Sequence, residues 1–177
     1  MADDRYFAFL RAINTGSRRL TNERLLAPFH DLGFTDVAAY QAAGNVTFRG
    51  GAVDERHIEV ALADAYGFET PTFVRTAAEV AAIVQAAPFA ADDLARTAGK
   101  VQVTFLRNVA SPEQVERVMA LVPEGDRVVV SDREWYWLPV DGVSTSMLPV
   151  GQIESALGEM TMRTLGTVAR LHAKFAD

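Results

Sequence analysis

Apolar positions along this chain fall into two rhythms, and the switches between them mark its elements. Tyr6 to Leu10 is a continuous apolar run, the pattern of a central strand buried on both faces. Thr21 is placed to cap a helix whose apolar face is Leu25, Leu26, Phe29 and Leu32, and Gly33 stands where a left-handed residue closes it. Pro28 falls inside that helix and deletes a backbone hydrogen bond, so a kink or an early break is expected there. Val37–Tyr40 and Val46–Phe48 read as short strands about the turn Ala42-Ala43-Gly44-Asn45. Asp54 caps a second predicted helix to Tyr66, with Ile58, Ala61, Leu62 and Ala65 inward and Gly67 closing it. Thr72 to Arg75 is a fourth strand, and the capping box Thr76-Ala77-Ala78-Glu79 opens a further helix to about Ala86.

Pro88 stops that helix, and residues 88–99 show weak periodicity and read as a connection. The same order of elements then recurs. Val101 to Leu106 is a strand, and Ser111-Pro112-Glu113-Gln114 is a second capping box with proline at the favoured first helical position. Its helix carries Val115, Val118, Met119 and Val122. Arg127–Val130 and Trp135–Leu138 form a hairpin, Pro149–Leu157 a helix ended by Gly158, Thr161–Arg163 a short strand, and Leu165–Phe175 a final helix. Strand, helix, strand, strand, helix, strand, read twice, is an α+β pattern of two tandem ferredoxin-like (βαββαβ) subdomains. The division is residues 1–87, a connection at 88–99, and residues 100–177. One continuous mixed sheet is the rival architecture, and the strand at 161–163 decides between them.

Composition narrows the chemistry. Hydrophobic content of 49% with 23% charged residues is that of a globular chain, and zero cysteines exclude disulfides, thiolate metal sites and cysteine nucleophiles. Apolar runs are far shorter than the roughly 20 residues of a membrane span. Met1-Ala-Asp-Asp-Arg lacks the basic and apolar regions of a secretory signal, so a cytoplasmic location is expected. The net charge of −6 opposes nucleic-acid binding unless positive charge is gathered locally.

Local gathering does occur after the first strand. In the ferredoxin-like arrangement the loop after strand one, the hairpin turn and the start of strand four share one end of the sheet. Arg11, Asn14, Gly16, Ser17, Arg18 and Arg19 are therefore expected near Gln41, Gly44, Asn45 and Thr70. Glycine lets backbone amides approach a ligand, the following helix start offers unpaired N–H groups, and arginine supplies forked charge-assisted donors. Such a cluster suits an anionic small molecule. The competing reading is purely structural, with Asn14 and Gly16 shaping a turn and Arg18 and Arg19 solvated beside Glu23. Neither a Walker A nor a dinucleotide fingerprint occurs. His30, His57 and His172 fall on three different predicted helices with no metal spacing, so no metal or cofactor is expected. Ser144 and Ser146 lack a nucleophile elbow. Trp135 and Trp137 share one strand face, and core packing is the expected role.

FLRAINTG at 9–16, LGFTDVAAY at 32–40 and GNVTF at 44–48 resemble the bacterial domain-of-unknown-function family numbered sixteen ninety-seven. Its members open FLRGINVGG and continue TYIQSGNVVF. The resemblance extends through Pro88-Phe89, VTFL at 103–106 and TMRTLGTVARL at 161–171. It implies the tandem ferredoxin-like fold and no established reaction or cofactor. Arg11, Asn14, Gly16, Gly44 and Asn45 match its pattern. Ala12 and Ser17 replace glycines, Met147 replaces the lysine of a Ser-Lys-Leu run, and Thr164-Leu165-Gly166 replaces Asn-Trp-Asn. The lost polar positions imply a reduced or retuned version of whatever site the family carries.

Three functions remain: a noncatalytic small-molecule-binding or protein-interaction module; an enzyme or sensor for a phosphate- or carboxylate-bearing metabolite at the Arg11/Asn45 end; and single-strand nucleic-acid binding, which the acidic balance disfavours. A homodimer through a sheet edge or the Trp135 strand is compatible with the sequence.

Overall fold

A computed structural model describes residues 4–16, 19–41, 43–97 and 99–176. Two antiparallel four-stranded sheets replace the single mixed sheet of the rival architecture, and the α+β, tandem ferredoxin-like order holds. In the first, β1 (Asp4–Leu10), α1 (Asn22–Asp31), β2 (Thr35–Ala39), β3 (Asn45–Gly50), α2 (Glu55–Tyr66), β4 (Thr72–Thr76) and α3 (Ala77–Gln85) give the strand order β2-β3-β1-β4. After α4 (Ala91–Ala95), the series repeats as β5 (Gln102–Leu106), α5 (Pro112–Met119), β6 (Arg127–Ser131), β7 (Glu134–Leu138), α6 (Val150–Leu157), β8 (Met160–Thr164) and α7 (Leu165–Phe175), with order β6-β7-β5-β8. The deciding strand at 161–163 is real and spans five residues, paired to β5 from Leu106↔Met160 to Gln102↔Thr164. The chain divides into two compact units, Met1–Ile83 with Leu171–Asp177, and Val84–Arg170.

In the first unit Ala8, Leu10, Val46, Phe48 and Val74 from the sheet meet Leu25, Phe29, Ile58 and Leu62 from α1 and α2. Phe34 packs at a tilt against Phe48 with centroids 4.4 Å apart, and Phe29 lies 5.4 Å from Phe48. Burying each such ring contributes about 2–3 kcal/mol. The opposite face of β1 is also buried at Phe7 and Phe9, as its unbroken apolar run predicts. His172 of α7 lies 6.3 Å from the Phe7 ring, and Phe175 meets Tyr40 edge-on. In the second unit Leu106, Trp135, Trp137 and Met160 pack against Val118, Leu148 and Ile153. Trp135 and Trp137 are core residues, stacked 6.5 Å apart, while Tyr136 belongs to the other face.

Two expectations are sharpened. Helix α1 does not break at Pro28 but runs on to Asp31, with Pro28 itself buried between Leu25 and Phe29. The burial of that apolar face outweighs one missing hydrogen bond, and the helix ends as expected through Gly33 at φ 81°. The connection at 88–99 also contains a short helix, α4. At five residues with no buried side chain it has no apolar stripe for periodicity to detect.

Candidate functional site

Pairing of β1 with both neighbours determines what gathers at its end. Phe9 stands opposite Asn45, and Leu10 opposite Thr72. One step further, the Leu10 N–H donates to the Gly44 carbonyl at 2.7 Å, and the Arg11 N–H to the Pro71 carbonyl at 2.9 Å. The post-β1 loop, the β2–β3 turn and the approach to β4 are thus tied together by backbone hydrogen bonds at one sheet end.

Gly44 has φ 71°, and a Cβ there would lie 2.9 Å from the Leu10 carbonyl oxygen, so only glycine allows this approach. Asn45 is fully buried; its Nδ2 donates to the Tyr40 carbonyl at 3.1 Å, closing the hairpin from inside. Asn14 has φ 57°, and its Oδ1 accepts from the Leu20 N–H at 2.8 Å, holding the loop to the approach to α1. Thr21 caps that helix by accepting from the Arg24 N–H. Arg11 is half-buried, Gly16 turns at φ 57°, and Arg19 and Gln41 are exposed. Ser17 and Arg18 lie outside the described residues. Arg11, Gly44 and Asn45 are therefore brought together by register, Asn14 serves the loop itself, and Arg19 stands beyond it.

Thr70 stands one residue before Pro71. It is 1% exposed, and its Oγ1 has no hydrogen-bond partner among the described residues. A buried hydroxyl left unpaired costs about 1–3 kcal/mol, and no sequence pattern discloses it. Backbone strain gathers at the same end. Ala12, Asn14 and Gln41, at φ 56–57°, are three of the six non-glycine residues with positive φ among the described residues. Each such residue costs about 1–3 kcal/mol and persists only where its surroundings hold it.

Chemically the assembled residues offer guanidinium, amide and hydroxyl groups, and a carboxylate stands beside them: Glu59 Oε1 of α2 accepts from the Thr72 N–H at 2.9 Å. No group of three or more His, Asp or Glu that could hold a metal exists among the described residues. His30 and His57 are exposed on α1 and α2. Ser146 serves structure: its hydroxyl donates to the buried carboxylate of Asp126 at 2.6 Å. No helix among the described residues is long and apolar enough to cross a membrane.

The duplication goes deeper than the order of elements. Phe9-Leu10-Arg11 and Phe105-Leu106-Arg107 end the first strand of each unit. Arg75-Thr76 with Val80 and Arg163-Thr164 with Val168 span the last strand and the next helix. Arg75 faces Phe7 in register as Arg163 faces Val103. Each guanidinium donates back to the preceding carbonyl, Val74 at 2.9 Å and Met162 at 2.7 Å. These short matches are legible in the sequence once the elements are aligned, and the element pattern alone passes over them.

Tandem sheets of this strand order define a duplicated ferredoxin-like protein whose first unit carries a cationic, donor-rich sheet end. The chain belongs to the bacterial DUF1697 family of proteins of unknown function, whose sequence profile matches residues 4–136. The solved structure of the conserved bacterial protein SP0830 from Streptococcus pneumoniae has the same fold, with a TM-score of 0.75 over 99% of this chain and 100% of that one at 16% identity. No curated protein matches the chain.

Proposed function

We propose that this is a noncatalytic, cytoplasmic small-molecule-binding module whose first unit takes an anionic metabolite at the sheet end formed by Arg11, Asn14, Gly44 and Asn45. The observation that carries the reading is the Thr70 hydroxyl, buried without a partner where these segments are tied together. A polar atom left unpaired in the free protein is one that a ligand can satisfy. The local backbone strain supports the same reading, since strained residues cluster where a binding geometry is held ready.

The test is thermal stability across a panel of phosphates and carboxylates. A ligand at about 100 times its Kd stabilises by roughly 2.7 kcal/mol, and Arg11→Ala is expected to abolish the shift. Thr70→Val separates binding from folding. Exchanging an unpaired buried hydroxyl for a methyl leaves unliganded stability unchanged or raised, while the ligand-dependent shift falls. No shift with any anion overturns the proposal, and specific turnover lost in Arg11→Ala replaces it with an enzyme.

A further inference from the structure

The second unit contains a cleft of about 490 Å³ that differs in chemistry from the sheet end of the first unit. Its walls are apolar at Val84, Leu94, Val101 and Leu165, and its charged groups are Lys100 and Arg170, with no acidic residue in the lining. Among the described residues neither cation forms an ion pair; Arg170 Nη2 donates only to the Thr167 hydroxyl, at 3.3 Å. Two cations spaced along an apolar cleft are the complement of an amphipathic anion.

The internal repeat indicates what the charge complements. In the first unit, the helix that follows the last strand is capped by a carboxylate from within. Glu79 Oε2 accepts from the Thr76 N–H at 2.7 Å and from its hydroxyl at 3.0 Å. In the second unit the corresponding strand-to-helix junction is Thr164-Leu165, and Thr167 occupies the place of Glu79. Its hydroxyl meets the Thr164 hydroxyl at 2.8 Å, so two neutral groups stand where the first unit has a carboxylate. The cleft lies at that junction, with Gly166 in its lining and the two cations beside it.

We infer that the cleft between Lys100 and Arg170 binds a small carboxylate with a short hydrocarbon body. The carboxylate sits against the start of α7 in the role Glu79 plays at α3, and the hydrocarbon lies along Val84, Leu94 and Val101. A volume of this size falls in the range of small-molecule sites. This site is independent of the Arg11 sheet end and stands or falls separately.

The experiment titrates the full chain with hexanoate, following amide resonances of Gly99, Lys100 and Gly166. Saturable shifts at these residues in the millimolar range are expected. The exposed pair Lys100→Ala/Arg170→Ala is expected to weaken binding by about tenfold or more. Acetate, which lacks the hydrocarbon, and hexylamine, which reverses the charge, are expected to give no saturable shift at equal concentration. Hexanoate binding unchanged in the double variant, or absent to about 100 mM, overturns the inference. Hexyl phosphate binding more than about tenfold tighter than hexanoate overturns the assignment to a carboxylate.

Discussion

At the scale of single residues, close approach and buried charge set the strongest constraints. Gly44 and Gly16 share a left-handed backbone but not an environment. A Cβ at Gly44 meets backbone and side-chain atoms of Leu10 and Ile13 at 2.9–3.1 Å, whereas one at Gly16 meets nothing within 4 Å. Gly16→Ala is therefore expected to cost about 1 kcal/mol, the conformational term alone. Gly44→Ala is expected to cost about 2 kcal/mol or more, since the backbone oxygen it meets cannot swing aside. Urea unfolding of the two variants checks the order. Asp126, 4% exposed, is the corresponding fixed point of the second unit. Its carboxylate accepts from Trp137 Nε1 at 2.8 Å, Ser146 Oγ at 2.6 Å and the Val140 N–H at 2.9 Å. These bonds join β7 to the segment leading into α6. Asp126→Ala strands three donors and is expected to cost about 3 kcal/mol, with Asp126→Asn costing less because one acceptor oxygen survives. Equal losses in the two variants would contradict that assignment.

At the scale of elements, the caps were the most legible part of the sequence because their chemistry is local. Ser111 and Gln114 form the expected reciprocal box, and Gln114 does more than the pattern implies. Its Oε1 accepts from the Ser111 N–H at 2.9 Å while its Nε2 donates to the Ala156 carbonyl of α6 at 2.8 Å. Gln114→Ala is thus expected to cost about 2 kcal/mol against about 1 for Ser111→Ala, and Gln114→Glu, which keeps the box and loses the donor, should fall between them. Chemical denaturation of the three variants gives the comparison. Non-local features were legible only in part. Topology placed Arg11 beside Gly44 and Asn45 because antiparallel register is a consequence of element order. It could not show that Asn45 is spent on closing its own hairpin, or that the Thr70 hydroxyl lacks a partner, since both depend on packing. Pro28 shows the same limit: propensity is local, and the burial of Leu25 and Phe29 in the helix that continues past it is not. The edge strands show a similar division. Pairing of β2 with β3 is interrupted between Thr35 and Ala38, with Asp36 at φ 47° ion-paired to Arg5, a distortion that discourages edge-to-edge association.

At the scale of the whole molecule, the duplicated sheets bury phenols in both units, and the resulting pH dependence reports on the two cores together. Three of the four tyrosines have raised pKa values, each mainly through burial. Tyr136 is pushed up to about 12 by burial, with Glu134 and Asp132 adding to the shift. Tyr66 is raised further, and its hydroxyl donates to the Leu25 carbonyl at 2.6 Å. For each, the native state holds its proton at a pH where the unfolded chain has released it. Stability is intact below pH 10 and is lost as pH rises toward and through the folded values. Arg163 acts in the opposite sense. Burial lowers its pKa to about 10, so the native state sheds that proton at a lower pH than the unfolded chain and stability is regained above that pH. Three phenols against one guanidinium leave a net loss, and the protein is expected to unfold on the alkaline side with phenolate formation and loss of tertiary circular dichroism coinciding. Tyr136→Phe removes one of the driving ionisations and should move the alkaline midpoint upward, whereas Tyr66→Phe also forfeits a buried hydrogen bond and should lower stability at pH 7 by about 1 kcal/mol. Ionisation of Tyr66 and Tyr136 near pH 10 with the fold intact would show that these phenols are not held in the cores that the two sheets define.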